Sequence, residues 1–557
     1  MTEQDTFVKS TTSDKRFRKE LTTIDLLFLS LGGIIGSGWL FAAAGASMLA
    51  GPAAILSWII GGLIVLVIAL VYAELGGMIP RSGAIVRYGQ YSHGGLAGFL
   101  FGWAYFLSAV SVPAIEAEGV ITYAGTYVHG LVTSTGVLTA PGIVLAALLM
   151  LGFFFLNYFG IKVMGKTNTG MTWWKLIIPS ATVALLLAVH FNISNFFLKT
   201  GFVTYGWSSV FEAISVSGIV FSYLGFRQAL DYGGEAKNPQ RSVPIATVLS
   251  VIIGIALYTL LQVVFIGQVN WAAVGVAPGQ WADLQGGVVT APFATLASSA
   301  GMVFLAYFLF ADAYVSPSGT LNVYLGTSQR TLYGLATLGY LGKSMSDVNA
   351  KTRVPILPLI ASLIIGYIFF APFPSWYKLV GFISSSTVFT YIVGGSALQV
   401  FRREASELKR PFKLKGASIL SPIAFVGATL IVYWSGWPLV AYLVIAILLG
   451  LLVYLVFYAA GKSAINIFSG KHFKGGAWLL AYMGVITLLS YFGEKPYGGT
   501  GLIPFPWDFL VMIVVAIAFY YWSVYSGFKT DEITEIIETN MQYLPSEEVA
   551  SGPAGKK

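Results

Sequence analysis

The amino-acid sequence predicts an all-α polytopic membrane protein, and two observations lead to this fold class. Of the 557 residues, 56% are hydrophobic and only 10% are charged, whereas a soluble domain carries about 25% charged residues. Apolar runs of ~20 residues, the length that crosses a bilayer as a helix, recur between turn signals along the chain. They define fourteen candidate spanning segments, numbered 1 to 14, at residues 21–49, 52–79, 95–128, 138–159, 167–190, 209–233, 243–267, 291–330, 355–371, 376–400, 417–435, 437–460, 476–493 and 504–527.

The positions of the basic residues in alternate loops support this segmentation. With the N-terminus inside, 27 of the 32 lysines and arginines lie in the termini or in even-numbered loops, as expected for cytoplasmic loops. We therefore expect a multi-pass plasma membrane protein with both termini cytoplasmic. The basic groups are Lys9–Lys19 before segment 1, Arg81 and Arg87 after segment 2, Lys162 and Lys166 after 4, Lys237 and Arg241 after 6, Arg330–Arg353 after 8, Arg402–Lys415 after 10, Lys462–Lys474 after 12, and Lys529–Lys557 at the end.

Composition argues against several functional classes. The chain has no cysteine, and its four histidines are scattered without metal-ligand spacing, so we expect no disulfide, no metal site and no cofactor. No HExxH, GxSxG or suitably spaced paired-aspartate motif occurs, which argues against an enzyme. The net charge of +8 is explained by the loops, so no nucleic-acid partner is expected. The polar start predicts no cleavable signal peptide.

The stretch Leu31–Phe41, LGGIIGSGWLF, is the central motif because four of its residues are glycines inside a spanning segment. Glycine weakens a helix by roughly 1 kcal/mol relative to alanine. An opened helix is tolerated in lipid only where protein, water or a solute meets the freed backbone. Freed N–H groups bind carboxylates, and freed carbonyls bind ammonium groups or cations. The glycines alone are equally compatible with close helix packing through small residues.

Segment 6 contains a second glycine interruption, Phe221–Phe226, FSYLGF. Segments 1 and 6 are each the first of five if segments 1–5 and 6–10 form two halves. Paired interruptions at corresponding positions point to a transporter site at an inverted-repeat interface. This pairing favours an unwound binding helix in segment 1.

At these residues the sequence resembles the amino acid–polyamine–organocation superfamily. Gly32–Phe41 is similar to its first-helix motif, and Phe221–Phe226 with Glu235–Arg241 is similar to its sixth helix and following loop. Gly102–Tyr105 resembles the start of its third helix, and Arg330–Tyr333 followed by Pro355 resembles its junction of helices 8 and 9.

The resemblance implies a five-plus-five inverted-repeat (LeuT-like) fold with discontinuous segments 1 and 6. The transport core would cover 21–400, in halves 21–190 and 209–400. Four additional helices would cover 417–527. Residues 1–20 would form a cytoplasmic N-terminal segment, and 528–557 a solvated or surface-lying cytoplasmic tail.

The resemblance also implies the substrate site. The N–H groups of Ser37 and Gly38 would bind a carboxylate, and carbonyls of Ile34, Phe221 and Leu224 would bind the α-ammonium group. Phe221 would cover the substrate, unless it is an ordinary core residue. The implied substrate-binding set is Ile34, Gly36, Ser37, Gly38, Glu116, Phe221, Ser222, Leu224 and Gly225.

Lys175 is the most informative charge because it lies inside segment 5, and intramembrane charges are functional hypotheses by default. In proton-coupled relatives, a lysine in a similar context takes the place of a sodium ion. The resemblance implies that Lys175 bridges segments 1 and 8 and couples transport to protons. The alternative is a lysine that snorkels to water, because it would lie only ~12 Å from a segment start near Thr167.

Glu116 and Glu118 in segment 3 are two residues apart, so ~200° separates them on a helix and they face different sites. Glu116 lies where relatives touch the substrate side chain. It could select a cationic side chain, move a proton or serve only as a structural partner. Glu118 is expected elsewhere in the bundle or near the outer surface.

Several further polar residues are accessory candidates. Asp312 could bind a cation or proton, or lie near the outer water. Arg227 stands where many relatives have glutamate, and a partner is expected in Glu74 or Asp231. The serines of segment 10 either line the site or hydrogen-bond across helices. The accessory set is Tyr223, Asp312, Ser318, Thr320 and Ser385.

The predicted function is secondary active transport of amino acids by alternating access, with protons as the coupling ion. Sodium coupling stays open, because an ammonium group at Lys175 argues against only one sodium site. The expected partners are a small amino acid and the lipid bilayer. The alternatives are an amino-acid/polyamine exchanger and a non-transporting amino-acid sensor of the same fold; a channel is disfavoured because no filter repeat occurs.

Overall fold

The computed structural model describes residues 19–133, 136–159, 161–189, 191–198, 200–349, 351–352 and 354–543. This part of the chain is helical, without a β-strand. Ten of its helices are long and apolar enough to cross a membrane, or eleven if one bent pair forms a single span. The predicted all-α polytopic class is therefore confirmed. Residues 1–18 and 544–557 of the predicted terminal segments, and also Arg353, lie outside the described residues.

The helices are numbered in chain order. They are α1 Thr23–Ile34, α2 Gly38–Ala50, α3 Ala54–Met78, α4 Ala84–His93, α5 Gly95–Ala124, α6 Ala140–Tyr158, α7 Ile161–Ala188, α8 Trp207–Val216, α9 Ile219–Tyr223, α10 Gln228–Asp231, α11 Pro239–Gln268, α12 Trp271–Val274, α13 Gly287–Thr290, α14 Pro292–Ser299, α15 Val303–Thr337, α16 Ile356–Ile368, α17 Trp376–Glu404, α18 Ala417–Trp434, α19 Leu439–Ala459, α20 Gly470–Phe492, α21 Trp507–Ser526 and α22 Asp531–Glu538.

The first predicted segment is broken within its glycine motif. Helix α1 ends at Ile34 and α2 begins at Gly38, so three residues between them leave the helical path. Ile35 has φ −87° and ψ 86°, which is outside the helical region. The backbone therefore opens where the glycine cluster weakens the helix.

The sixth predicted segment also breaks, but earlier than expected. Helices α8 and α9 meet at an angle of 50°, at Gly218, which has a φ of +100°. The expected break at Gly225 is wrong, because Leu224–Arg227 continues as a 3-10 helix. Gly218 supplies the left-handed conformation that other residues rarely adopt.

Gly225 serves close packing between α1 and the 3-10 helix Leu224–Arg227. A Cβ atom there would overlap the backbone of Gly33 and Ile34 and lie 2.7 Å from the Ser30 carbonyl oxygen. Gly33 is also confined, although less tightly, because a Cβ atom would lie 3.2 Å from the Gly225 Cα. The packing interpretation of the glycines therefore holds here, while unwinding occurs two residues further along segment 1.

The eighth predicted segment, 291–330, is two helices rather than one. Helix α14 ends at Ser299, and α15 begins at Val303 and continues to Thr337. Gly301 between them has a φ of +77°. A left-handed residue ends a helix, and the surrounding apolar residues concealed this turn in the sequence.

Residues 531–542, in the described part of the C-terminal segment, pack against the preceding helices. Helix α22 buries Ile533 and Ile536, and the Gln542 Nε2 donates to the carbonyl oxygens of Met78 at 2.9 Å and Lys409 at 2.7 Å. The described part of the predicted tail is therefore docked rather than solvated. The acidic residues of this segment predicted a solvated tail, but the short helix α22 has an apolar face that packs against the protein.

Glu74 joins α3 to the end of α17. Its carboxylate accepts from Arg402 Nε at 3.0 Å, from Arg402 Nη2 at 2.6 Å and from the Leu414 N–H at 2.7 Å. Arg410 Nε lies 3.5 Å away. The expected pairing of Glu74 with Arg227 is wrong, because these two arginines already occupy the carboxylate.

Replacing this buried acid should destabilise the fold. Glu74→Ala leaves two arginines without their shared partner, and we expect the free energy of unfolding to fall by about 2–4 kcal/mol. The exposed pair of Lys471 and Asp531 is the control, because Asp531→Asn should cost less than about 1 kcal/mol. Denaturant unfolding in detergent measures both, and equal losses would contradict the assigned role of Glu74.

Candidate functional site

The opened backbone between α1 and α2 is enclosed by side chains from three other helices. The Ser37 N–H donates to Glu116 Oε2 at 2.7 Å, and the Ile34 carbonyl oxygen accepts from the Tyr258 hydroxyl at 2.8 Å. The Ser37 hydroxyl accepts from Trp376 Nε1 at 2.6 Å. These three groups at the break are therefore paired within the protein, as the absence of water from a membrane interior requires.

Lys175 contacts the same opened region from α7. Its Nζ donates to the Gly32 carbonyl oxygen at 2.6 Å and to Thr320 Oγ1 at 2.8 Å. Thr320 Oγ1 in turn donates to the Gly32 oxygen at 2.9 Å. Lys175 thus links α1 to α15, the two elements that the superfamily resemblance implied.

Lys175 does not snorkel to water, since its exposed fraction is 0%. Helix α7 begins at Ile161, not near Thr167. At 1.5 Å per residue, Lys175 lies ~21 Å along the helix rather than ~12 Å. A buried ammonium group without compensation is costly, so its two acceptors are essential to its placement.

Gly36 and Gly38 leave room for neighbouring side chains. A Cβ atom on Gly36 would lie 2.6 Å from both Glu116 Oε1 and Thr320 Oγ1, and a Cβ atom on Gly38 would overlap the Ser222 hydroxyl. Both positions therefore require glycine in this arrangement. The contacts bring the predicted residues of segments 1, 3, 6 and 8 together.

Aromatic side chains close one side of the opened backbone. The Phe221 and Trp376 rings meet edge to face, with centroids 6.0 Å apart. Phe221 is 6% exposed, and its carbonyl oxygen accepts the Leu224 N–H. The Leu224 carbonyl oxygen lies 3.5 Å from the Tyr391 hydroxyl. Phe221 thus packs against Trp376, which itself donates to the Ser37 hydroxyl.

One accessory candidate, Asp312, belongs to a hydrogen-bond network beside the opened backbone. Asp312 accepts from Trp39 Nε1 at 2.9 Å and from the Ser316 hydroxyl at 2.6 Å. It is fully buried, so the expectation of a place near the outer water is wrong. Ser318, two residues before Thr320, is 7% exposed.

The hydroxyl groups of two other accessory candidates, Tyr223 and Ser385, point away from the opened backbone. The Tyr223 hydroxyl donates to the Trp58 carbonyl oxygen at 3.1 Å, which directs this ring toward α3. Ser385 donates to the Ser435 hydroxyl at 2.6 Å, which directs it toward α18. The alternative of hydrogen bonds across helices describes Ser385, and neither hydroxyl donates to the opened backbone.

Tyr258 and Trp376 are site residues that sequence reasoning missed. Both lie in spanning segments and carry polar atoms that need partners in an apolar interior. This need for a hydrogen-bond partner could have marked both residues as candidates, although it does not identify the partner.

Glu118 has a different environment from Glu116. It is fully buried, so a place near the outer surface is wrong, and neither carboxyl oxygen has a hydrogen-bond partner among the described residues.

No group of three or more His, Cys, Asp or Glu residues that could hold a metal ion occurs in the described part of the chain.

The sequence of this chain matches a family of known proteins. Residues 21–468 match the family described as amino acid permease. The chain belongs to this family. The resemblance to the amino acid–polyamine–organocation superfamily is thereby confirmed, and the family consists of transporters rather than enzymes.

Individual relatives cover nearly the whole permease. A glutamate/serine transporter of Bacillus subtilis, AimA, is 38% identical over 549 residues, which is 97% of this chain and 100% of the relative. An aspartate-proton symporter of the same organism is 35% identical over 520 residues, 92% of this chain and 97% of the relative. A branched-chain amino acid permease, BcaP, is 24% identical, with 82% and 97% covered.

Proposed function

We propose that this permease is a proton-coupled secondary transporter of amino acids that works by alternating access. The observation that carries the proposal is the opened backbone of segment 1, which a buried acid and a buried lysine contact at Ser37 and Gly32. The names of the glutamate/serine and aspartate-proton relatives support amino acids as substrates. No cofactor is involved in the proposed mechanism.

The proposed architecture is the five-plus-five inverted repeat, with segments 1–5 and 6–10 as its halves and segments 11–14 added, fourteen in all. The breaks between α1 and α2 and between α8 and α9 support it, because each falls in the first segment of a half. The basic loops favour a plasma membrane orientation with both termini cytoplasmic.

Substrate binding would use the Ser37 N–H, which Glu116 now occupies. The carboxylate of an amino acid would accept the N–H groups of Ser37 and Gly38 and displace Glu116. The carbonyl oxygens of Ile34, Phe221 and Leu224 would receive the ammonium group. Binding therefore exchanges one carboxylate for another at the Ser37 N–H.

This exchange gives a physical reason for coupling to protons. Two carboxylates close to one buried N–H group repel each other, so one of them is favoured in the protonated form. Glu116 would take the proton as the substrate arrives. Lys175 would keep its hydrogen bonds to Gly32 and Thr320 while it is charged, and would weaken them when it loses its proton.

Counterflow in proteoliposomes tests the transport function. Proteoliposomes that contain the purified chain are loaded with an unlabelled amino acid. Labelled glutamate, aspartate, serine or leucine is then added outside, with and without a pH gradient. We expect exchange of at least one amino acid and accumulation driven by an inside-alkaline gradient. Binding without exchange would contradict transport and favour a sensor.

The role of Glu116 is tested by Glu116→Gln. Glutamine retains an oxygen for the Ser37 N–H but exchanges no proton in the working range, so we expect uptake to lose its dependence on pH. Glu118→Gln is the matched control, because it changes the same residue type two positions along α5. A Glu116→Gln profile that still follows the wild-type pH dependence would overturn the assignment.

A further inference from the structure

A cavity of about 80 Å³ lies beside the start of α1, the end of α3 and the start of α11. Of the described residues that line it, three are basic, Lys19, Arg81 and Lys237, and none is acidic. A buried water molecule needs at least ~10–15 Å³, so the cavity has room for a small anion such as a phosphate group. None of these lining residues belongs to the proposed substrate site.

The Ser82 hydroxyl group also lines this cavity. Ser82 is 2% exposed, and its hydroxyl has no hydrogen-bond partner among the described residues. Gly234 packs closely against it, because a Cβ atom on Gly234 would lie 2.7 Å from the Ser82 Oγ. A buried polar group without a partner costs free energy, and an anion in the cavity would accept this hydrogen bond.

Hydrogen bonds hold the walls of the cavity in place. The Leu21 N–H donates to the Glu235 carbonyl oxygen at 3.0 Å, and the Lys237 N–H donates to the Leu21 carbonyl oxygen at 2.9 Å. Lys19 and Lys237 therefore lie on two backbone segments that are paired with each other. Arg81 Nη2 donates to the Met541 carbonyl oxygen at 2.6 Å, which ties its guanidinium to the docked C-terminal segment.

The like charges of this lining favour an anion. Burial lowers the pKa of Lys19, and the neighbouring positive charge of Arg81 lowers it further. A cleft lined by one sign of charge attracts ions of the opposite sign. A phosphate group offers three acceptor oxygens and up to two negative charges, which matches three cations and one hydroxyl donor. Lysine and arginine bind such oxygens through charge-assisted hydrogen bonds.

We propose that this cavity binds a phosphate group, carried either by an anionic phospholipid or by a soluble phosphate. The group would join the start of α1 to the turn after α3 and to the loop before α11. A ligand that binds only the folded state stabilises it, so binding would raise the unfolding temperature. The proposal is independent of amino-acid transport, because the residues and the readouts are different.

Thermal unfolding of the purified chain in a neutral detergent gives the first test. Inorganic phosphate is titrated against sodium chloride at equal ionic strength, and phosphatidylglycerol against phosphatidylcholine in mixed micelles. We expect phosphate or phosphatidylglycerol to raise the unfolding temperature where its control does not. A rise with inorganic phosphate supports a soluble ligand, and a rise with phosphatidylglycerol alone supports a lipid headgroup. The absence of a specific rise with either would overturn the proposal.

The double variant Lys19→Gln/Lys237→Gln assigns binding to the cavity. Lys237 is exposed and Lys19 is partly exposed, so the variant should fold. We expect affinity for the stabilising ligand to fall at least about tenfold, measured by calorimetry for phosphate or by native mass spectrometry for the lipid. The control is Lys343→Gln/Lys415→Gln, which removes the same charge from exposed lysines outside the cavity and should bind as the wild type does. Equal losses in the two double variants would contradict a site in this cavity.

Ser82→Ala tests the buried hydroxyl without changing the net charge. One donor is lost while the volume hardly changes, so we expect affinity for the same ligand to fall by about tenfold. Without ligand, the variant should unfold at the wild-type temperature or above, because a buried hydroxyl without a partner has been removed. A Ser82→Ala protein that binds the ligand as tightly as the wild type would contradict the proposed site.

Discussion

Lys175→Met should abolish accumulation driven by a pH gradient while the protein still folds. Methionine fills a similar volume but cannot donate to the Gly32 oxygen or to Thr320 Oγ1, at 2.6 Å and 2.8 Å in the wild type. The link between α1 and α15 is lost together with the exchangeable proton. We expect gradient-driven uptake to fall by at least about tenfold, the equivalent of one charged hydrogen bond.

The measurement is uptake of labelled amino acid into proteoliposomes with and without the gradient, alongside counterflow, which needs no net driving force. Lys471→Ala is the control, because this lysine is half exposed and pairs only at the surface with Asp531. A Lys175→Met protein that accumulates substrate as the wild type does would exclude Lys175 from coupling.

Gly225→Ala should strongly destabilise the fold, although it adds only one methyl group. The new Cβ atom would overlap backbone atoms of Gly33 and Ile34, and backbone cannot rotate away as a side chain can. Overpacking of this kind costs typically 1–3 kcal/mol and occasionally more. We expect a loss of about 3 kcal/mol in the free energy of unfolding and a correspondingly lower unfolding temperature in detergent.

Gly484→Ala is the matched control for this substitution. Gly484 lies within α20, and a Cβ atom there would meet nothing within 4 Å. Alanine favours a helix by up to about 1 kcal/mol over glycine, so this variant should be as stable as the wild type or slightly more stable. Equal behaviour of the two variants would refute the tight crossing of α1 and the 3-10 helix Leu224–Arg227.

The sequence predicted the break in segment 1 because the glycines of Leu31–Phe41 act locally. Helix weakening needs only neighbours in the chain, and α1 does end at Ile34. In segment 6 two glycines competed for the same role. Gly218 takes the left-handed turn, and Gly225 takes the close contact. The residues around each glycine do not distinguish these two roles, because the close contact of Gly225 depends on helix α1, which lies ~190 residues away in sequence.

Side-chain direction was harder to predict than segment position. Segments that are buried on all sides have no polar face to fix their rotation. Ser385 therefore could equally face the site or α18, and Glu74 could equally meet Arg227 or Arg402. The structure resolves both through contacts between distant segments. Tyr258 and Trp376 were missed for the same reason.

Lys175 was predictable because a charge inside a membrane segment is costly and therefore informative. Its acceptors on α1 and α15 followed from the superfamily resemblance rather than from local pattern. Glu116 was recognised as a site residue by the same route. Its contact with the Ser37 N–H, where the substrate carboxylate was expected, emerged only from the structure.

The central claim, coupled movement of an amino acid and a proton, is tested most directly by proton entry. Proteoliposomes containing the wild-type chain and a trapped pH-sensitive dye are mixed with glutamate, aspartate or serine, with the membrane voltage clamped. We expect the lumen to acidify when a transported amino acid is added, and we expect Lys175→Met to abolish this signal. Uptake of labelled amino acid at the wild-type rate without lumen acidification would contradict proton coupling.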